Sequence, residues 1–157
     1  QTLYVNSNKP LNMILTEDIS QEVSLSECNG HLCGNCIVLL DQKPVLSCLI
    51  PAFLIRDKEI LTFEGFKKTR FWHDIERAYA DTHIHPCSHC FASKTLIVES
   101  LLQQLFKLDN VSESPIDEGT IVKEMRLNTC SCLEAQEIIA IFNAAAAYRR
   151  KRRVRRY

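Results

Sequence analysis

The sequence predicts an α+β fold in which a small sheet domain, residues 1–66, precedes a helical domain, residues 67–157. Two observations predict this order. Before residue 66 the apolar residues form short, β-branched runs that end at turn signals. From Arg70 onward they recur at the spacing of amphipathic helices. A chain of 157 residues is long enough for one large domain or two small ones.

The first domain is predicted to contain short strands and one helical segment. Apolar residues at 11, 14 and 15 indicate the helical segment, which closes at 18–20. A turn signal at 41–44 joins two strands into a hairpin. The predicted strands cover residues 2–5, 36–40, 45–50, 54–55 and 60–62.

The second domain is predicted to be like a four-helix bundle. Its helices cover residues from about 70 to 81, 91–108, 117–125 and 134 to about 148, and residues 109–115 form a polar loop. The second helix leads away from Cys90, and the loop and third helix bring the chain back. We therefore expect Cys130 to lie near Cys87, at one end of the bundle.

Cysteines of the first domain have the spacing C-x4-C-x2-C followed by one distant cysteine. This is the plant-type ferredoxin spacing for a [2Fe–2S] cluster, and it predicts a ferredoxin-like, β-grasp domain. Gly30 and Gly34 allow the unusual backbone angles of such a loop, and Gly34 is a candidate to present its N–H to the cluster. The four predicted ligands, called the loop quartet below, are Cys28, Cys33, Cys36 and Cys48.

A second set of cysteines precedes two of the predicted helices. A helix start offers unpaired N–H groups and partial positive charge, which suit an anionic iron–sulfur centre. His89, between the first two of these cysteines, is a candidate to hydrogen-bond a cluster sulfur. The four predicted ligands, called the helical quartet below, are Cys87, Cys90, Cys130 and Cys132.

Other interpretations of the cysteines remain open at this point. Disulfides are the alternative in a secreted chain, but close C-x2-C and C-x-C pairs favour a shared metal centre. Zinc is the rival metal, mainly for the helical quartet. His85 or His89 would be a ligand only in a Rieske-like centre, and four cysteines already suffice.

Charge is distributed unevenly along the chain. The formal net charge is zero, yet residues 149–156 hold seven Arg or Lys, which leaves −7 over residues 1–148. The basic tail, residues 149–157, lacks interleaved aromatics, so we expect a solvated extension or docking on an acidic partner rather than nucleic-acid binding. No secretory signal and no membrane span is visible, and we expect a reducing compartment, the cytoplasm.

Residues 33–49, CGNCIVLLDQKPVLSCL, resemble the CGxCTVLLDGxxVxSCL run of one family. That family is the small iron–sulfur subunit of the xanthine dehydrogenase-like molybdenum hydroxylases. The resemblance implies a ferredoxin-like domain and a four-helix domain, each with a [2Fe–2S] cluster. His31 stands where the family has glycine, and Pro86 replaces a glutamine that contacts the pterin.

The resemblance also implies a function in a hetero-oligomeric oxidoreductase. The helical quartet would lie nearer the molybdenum cofactor, and the loop quartet nearer the flavin (FAD) subunit or another acceptor. No Gly-rich phosphate loop, Ser/His/Asp set or paired carboxylate is visible, so the chain is expected to transfer electrons without acting on substrate. The alternatives are a stand-alone ferredoxin-like carrier and a zinc-stabilised interaction module.

Overall fold

A computed structural model describes residues 3–19, 28, 30, 32–108 and 116–154 of the chain. The predicted mixture of sheet and helix is confirmed. Within the described residues, none of the helices has the length and hydrophobicity that a membrane crossing requires. The elements are α1 (Leu11–Met13), β1 (Ile37–Leu40), β2 (Lys43–Leu46), β3 (Ile60–Leu61), α2 (Phe63–Lys67), α3 (Trp72–Thr82), α4 (Phe91–Leu108), α5 (Glu118–Met125) and α6 (Ala135–Val154).

The described sheet has three strands in the order β2-β1-β3, and β1 is antiparallel to both neighbours. A two-residue turn joins β1 to β2, with φ of +47° at Asp41 and +70° at Gln42. Positive φ at both positions matches the right-handed twist of a hairpin. The predicted hairpin is therefore confirmed, and it brings Ile37 opposite Leu46.

The central strand β1 is buried on both faces. Ile37 and Leu39 belong to the large core that also includes Phe66 and the inner faces of the helices. Val38 points the other way, into a smaller cluster with Leu11. Because successive side chains of a strand alternate between faces, this single strand connects the helices to the N-terminal segment. The division of the chain at residue 66 stays a prediction.

Three predicted strands differ from the structure. Residues 3–5 lie outside the sheet, and the nearby Pro10 makes a single bridge to Pro51 instead. The second hairpin strand ends at Leu46, because Ser47 turns back to bond the carbonyl of Cys36 through both its N–H and its hydroxyl. The strand predicted at 54–55 is wrong, since Ala52–Leu54 is a 3₁₀ turn.

Helix α6 extends six residues beyond the predicted end near 148. Arg149, the first residue of the predicted tail, is buried rather than solvated. Its guanidinium binds both oxygens of Glu99 on α4, at 2.6 and 3.1 Å, and Asp74 of α3 at 3.0 Å. This ion network joins three helices. Residues 155–157 lie outside the described part of the chain.

Candidate metal centres

The helical quartet converges at one end of the helices. Cys87 and Cys90 lie in the turn that leads into α4, and Cys130 and Cys132 lie between α5 and α6. The four Sγ atoms all lie within 4.8 Å of one another. The Sγ of Cys90 is 3.0 Å from that of Cys132. The predicted proximity of Cys130 to Cys87 is confirmed, with 3.7 Å between their sulfur atoms.

Thiols of the helical quartet have unequal surroundings. A backbone hydrogen bond from Cys90, followed by its thiol, lowers the pKa of Cys87 to about 6. Burial, followed by the thiol of Cys132, raises the pKa of Cys90. The N–H of Cys87 donates to the Sγ of Cys132 at 3.5 Å. The surroundings of Cys87 thus favour its thiolate, the form of cysteine that binds soft metals.

Three members of the loop quartet converge in the described structure. The Sγ atoms of Cys28, Cys36 and Cys48 lie within 4.8 Å of one another. Burial, followed by the thiol of Cys36, raises the pKa of Cys48 to about 12. The β1–β2 hairpin holds Cys36 and Cys48 close together, because the hydroxyl of Ser47 donates to the carbonyl of Cys36. Cys33 is partly buried and is not a member of this converged group.

Residues 127–130, which lie between α5 and α6, pack against the loop that contains Cys33 and Gly34. Thr129 donates both its N–H, at 3.1 Å, and its hydroxyl, at 3.0 Å, to the carbonyl of Cys33. Gly34 has φ of +82°, and a Cβ there would lie 2.2 Å from the carbonyl oxygen of Leu127. Gly30 has φ of +75°, so the predicted unusual backbone of both glycines is confirmed. The close contact between this loop and residues 127–128 thus requires glycine at position 34.

Asn128 joins the two cysteine groups through its side chain. Its amide nitrogen donates to the carbonyl of Gly34 at 3.0 Å and to the side-chain oxygen of Asn35 at 2.8 Å. Its amide oxygen accepts the N–H of Cys130 at 3.1 Å. Asn128 is buried, so these bonds are shielded from water. The cysteine spacing did not predict this role of Asn128, although its position two residues before Cys130 was a signal in the sequence.

Lys94 is a second residue near the helical quartet that the cysteine spacing did not predict. It is 2% exposed, and its Nζ donates to the carbonyl of Cys130 at 2.7 Å. Lys94 follows Cys90, the residue just before α4, by four positions, so both side chains lie on one side of the helix start. This spacing was the signal that the sequence contained. A cavity of about 250 Å³ lies beside Lys94 and Cys130.

Histidines are absent from both converged cysteine groups of the described residues. His89 is exposed in the turn between Cys87 and Cys90, and none of the hydrogen bonds found in the described structure joins it to a sulfur. A sulfur contact of His89 therefore stays a prediction. Pro86 is buried next to the helical quartet. The substitution noted at His31 lies outside the described residues.

Both groups offer a donor set that fits an iron–sulfur cluster. Every member is a cysteine, none of them is in a disulfide, and the sulfur atoms point toward one another. Cysteine thiolates are the ligands of [2Fe–2S] clusters. Sulfur separations of 3.0–3.7 Å would also suit a single tetrahedral ion in the helical quartet. The fold and these two thiol groups define the class of the protein as metal-binding.

Similar proteins support iron–sulfur binding rather than zinc binding. One subunit of the nicotinate dehydrogenase of Pseudomonas putida is 30% identical over 142 residues, covering 90% of this chain and 85% of that protein. The xanthine dehydrogenase iron–sulfur-binding subunit of Escherichia coli O157:H7 is 28% identical over 87% of this chain and 82% of its own length. No protein-family model matches the chain.

A solved structure has the same fold over nearly the whole chain. Quinoline 2-oxidoreductase from Pseudomonas putida 86 aligns with a TM-score of 0.67 and 27% identity, covering 94% of this chain and 88% of that chain. The chain belongs to the family of small iron–sulfur subunits of the molybdenum hydroxylases. It is an electron-transfer subunit of an oxidoreductase, as the sequence predicted.

Proposed function

We propose that the chain holds two [2Fe–2S] clusters and carries electrons from a molybdenum-cofactor subunit towards a flavin (FAD) subunit. The observation that carries this proposal is the pair of thiol groups, each gathered from distant positions and joined by residues 127–130. The proposed ligands of one cluster are Cys28, Cys33, Cys36 and Cys48. The proposed ligands of the other are Cys87, Cys90, Cys130 and Cys132.

The residues around the thiols would hold the two centres at a fixed separation. When bound, a [2Fe–2S] cluster accepts and releases one electron at a time. The bonds of Asn128 and Thr129 tie the loop of Cys33 to that of Cys130. Fixed positions keep the path between the centres constant, which electron transfer without a mobile carrier needs. For Cys33, we propose that its side chain completes the loop quartet when the metal is bound.

The order of the two centres rests on family membership. We propose that the helical quartet lies nearer the molybdenum cofactor and the loop quartet nearer FAD, in a hetero-oligomeric complex in the cytoplasm. The relatives named as subunits of dehydrogenases support a complex. We also propose that the N-terminal part is a plant-type ferredoxin-like domain and that residues 67–157 form a four-helix domain. The sheet around the loop quartet and the helices around the helical quartet support this division.

Metal analysis of the purified complex tests the proposal. We expect about four iron and four acid-labile sulfide per copy of this chain. The Cys132→Ser variant should lose about half of the iron, because only one quartet is broken. The matched control is Ser131→Ala, at the exposed position between Cys130 and Cys132, which should keep all of it. Zinc in place of iron, or full iron retention in Cys132→Ser, would overturn the proposal.

A further inference from the structure

Lys94 is a buried cation without a carboxylate partner in the described structure. The buried cations of the described residues are Lys94 and Arg149. Arg149 is paired with Glu99 and Asp74. By contrast, none of the ion pairs found among the described residues includes Lys94, whose ammonium binds the carbonyl of Cys130. A carbonyl oxygen offers a hydrogen bond but no opposite charge.

This location makes a lone ammonium unfavourable. Burial removes the water that would stabilise the charge, so a buried ammonium without an opposite charge nearby is unfavourable. Lys94 also lies in the first turn of α4, where the unpaired N–H groups already carry partial positive charge. A positive side chain at a helix start needs an anion nearby. In the described part of the chain, the candidate for this anion is the helical quartet, because the contacted Cys130 belongs to it.

A cluster bound by the helical quartet would supply that anion. Two ferric ions, two sulfides and four thiolates sum to a dianion, and one-electron reduction adds one more negative charge. A fixed positive charge close to the cluster stabilises the reduced form more than the oxidised form. It therefore raises the reduction potential, one of the properties that a protein sets through its charges and hydrogen bonds.

We propose that Lys94 is the built-in counter-charge of the helical cluster and raises its reduction potential relative to the loop cluster. This inference rests on the proposed function. Lys94 acts as a positioning residue, because it holds the carbonyl of Cys130 and acts on the cluster through space. Neither buried cation of the described structure gives the loop quartet a corresponding charge, since Arg149 is engaged by two carboxylates.

Redox titration of the purified complex, followed by electron paramagnetic resonance, tests the inference. The signal of the helical cluster is assigned with Cys132→Ser. Lys94→Gln keeps a donor for the carbonyl of Cys130 and removes the charge. We expect its helical cluster to become harder to reduce by about tenfold, which is about 59 mV to more negative potential for one electron. The loop cluster should keep its potential.

Two control variants test whether the shift comes from the positive charge at position 94. One keeps that charge with a different side chain, and the other removes a charge elsewhere on α4. Lys94→Arg keeps the charge, so its potential should stay near that of the wild type. Lys107→Gln removes the same charge from the exposed far end of α4 and should leave both clusters unchanged. If Lys94→Gln loses the helical cluster while Lys94→Arg retains it, the counter-charge is also supported, because Arg keeps the positive charge that Gln lacks.

Three results would overturn the inference. These are an unchanged potential in Lys94→Gln, an equal shift in Lys107→Gln, and loss of the cluster from both the Gln and the Arg variants of Lys94. Iron and sulfide analysis of the wild-type complex separates this failure from that of the proposed function. Absence of iron would refute the proposed function. Full iron content with a potential insensitive to Lys94 would refute the counter-charge alone.

Discussion

Replacing Gly34 by alanine would disturb the contact between the loop of Cys33 and residues 127–128. The new Cβ would lie 2.2 Å from the carbonyl oxygen of Leu127 and 2.4 Å from the Cα of Asn128, and neither backbone atom can rotate away. The φ of +82° adds strain of about 1–2 kcal/mol for any L-residue other than glycine. Shifting the packed backbone adds about 1–3 kcal/mol. We therefore expect Gly34→Ala to lower the free energy of unfolding by about 2–5 kcal/mol.

Gly30→Ala is the matched control, because it isolates the backbone strain. Gly30 has φ of +75°, but a Cβ there would meet no atom of the described structure within 4 Å. Its loss should be limited to the strain of about 1–2 kcal/mol. Urea unfolding of the metal-loaded chain, followed by circular dichroism, measures both variants at equal m-values. Equal destabilisation by the two substitutions would refute the close approach between the loop and residues 127–128.

Three further predictions concern the buried polar groups. Arg149→Met should lower the free energy of unfolding by about 3–5 kcal/mol in thermal denaturation, because it leaves Glu99 buried without a cationic partner and Asp74 with Arg152 alone. Exposed Arg150→Met should change the free energy of unfolding by no more than about 0.5 kcal/mol. Asn128→Ala removes the bonds between the two halves, so iron analysis should show losses from both quartets, and a loss from one quartet alone would contradict the bridge. Burial raises the pKa of Glu99 above its usual 4.5, with Arg149 opposing the shift. The folded state then binds this proton more tightly than the unfolded state, so stability should fall as the pH rises from about 4.5 through the raised pKa. Glu99→Gln should flatten this slope in urea titrations, and an unchanged slope would count against it.

Local patterns predicted most of the secondary structure. The positions of the last three helices and of the β1–β2 hairpin follow from periodicity and turn residues, which act between neighbours in the chain. The strand predicted at 54–55 was wrong because such local patterns contain no information about distant strand partners. A strand needs a partner, and after Pro51 the chain forms a 3₁₀ turn whose Phe53 is exposed. Pairing is a property of distant segments, so a short apolar run cannot specify it.

In the candidate site, too, some features follow from local sequence and others from tertiary packing. The sequence by itself predicted the kind of ligand and the two quartets and indicated the family, because these predictions depend on cysteine spacing within short segments. Only the tertiary structure decided that residues 127–130 pack on Gly34 and that Lys94 lies against Cys130. It also decided that Arg149, the first residue of the basic tail, is buried in an ion network. Burial turns each of these ordinary residues into a structural or electrostatic element, and burial depends on what the rest of the chain places around it.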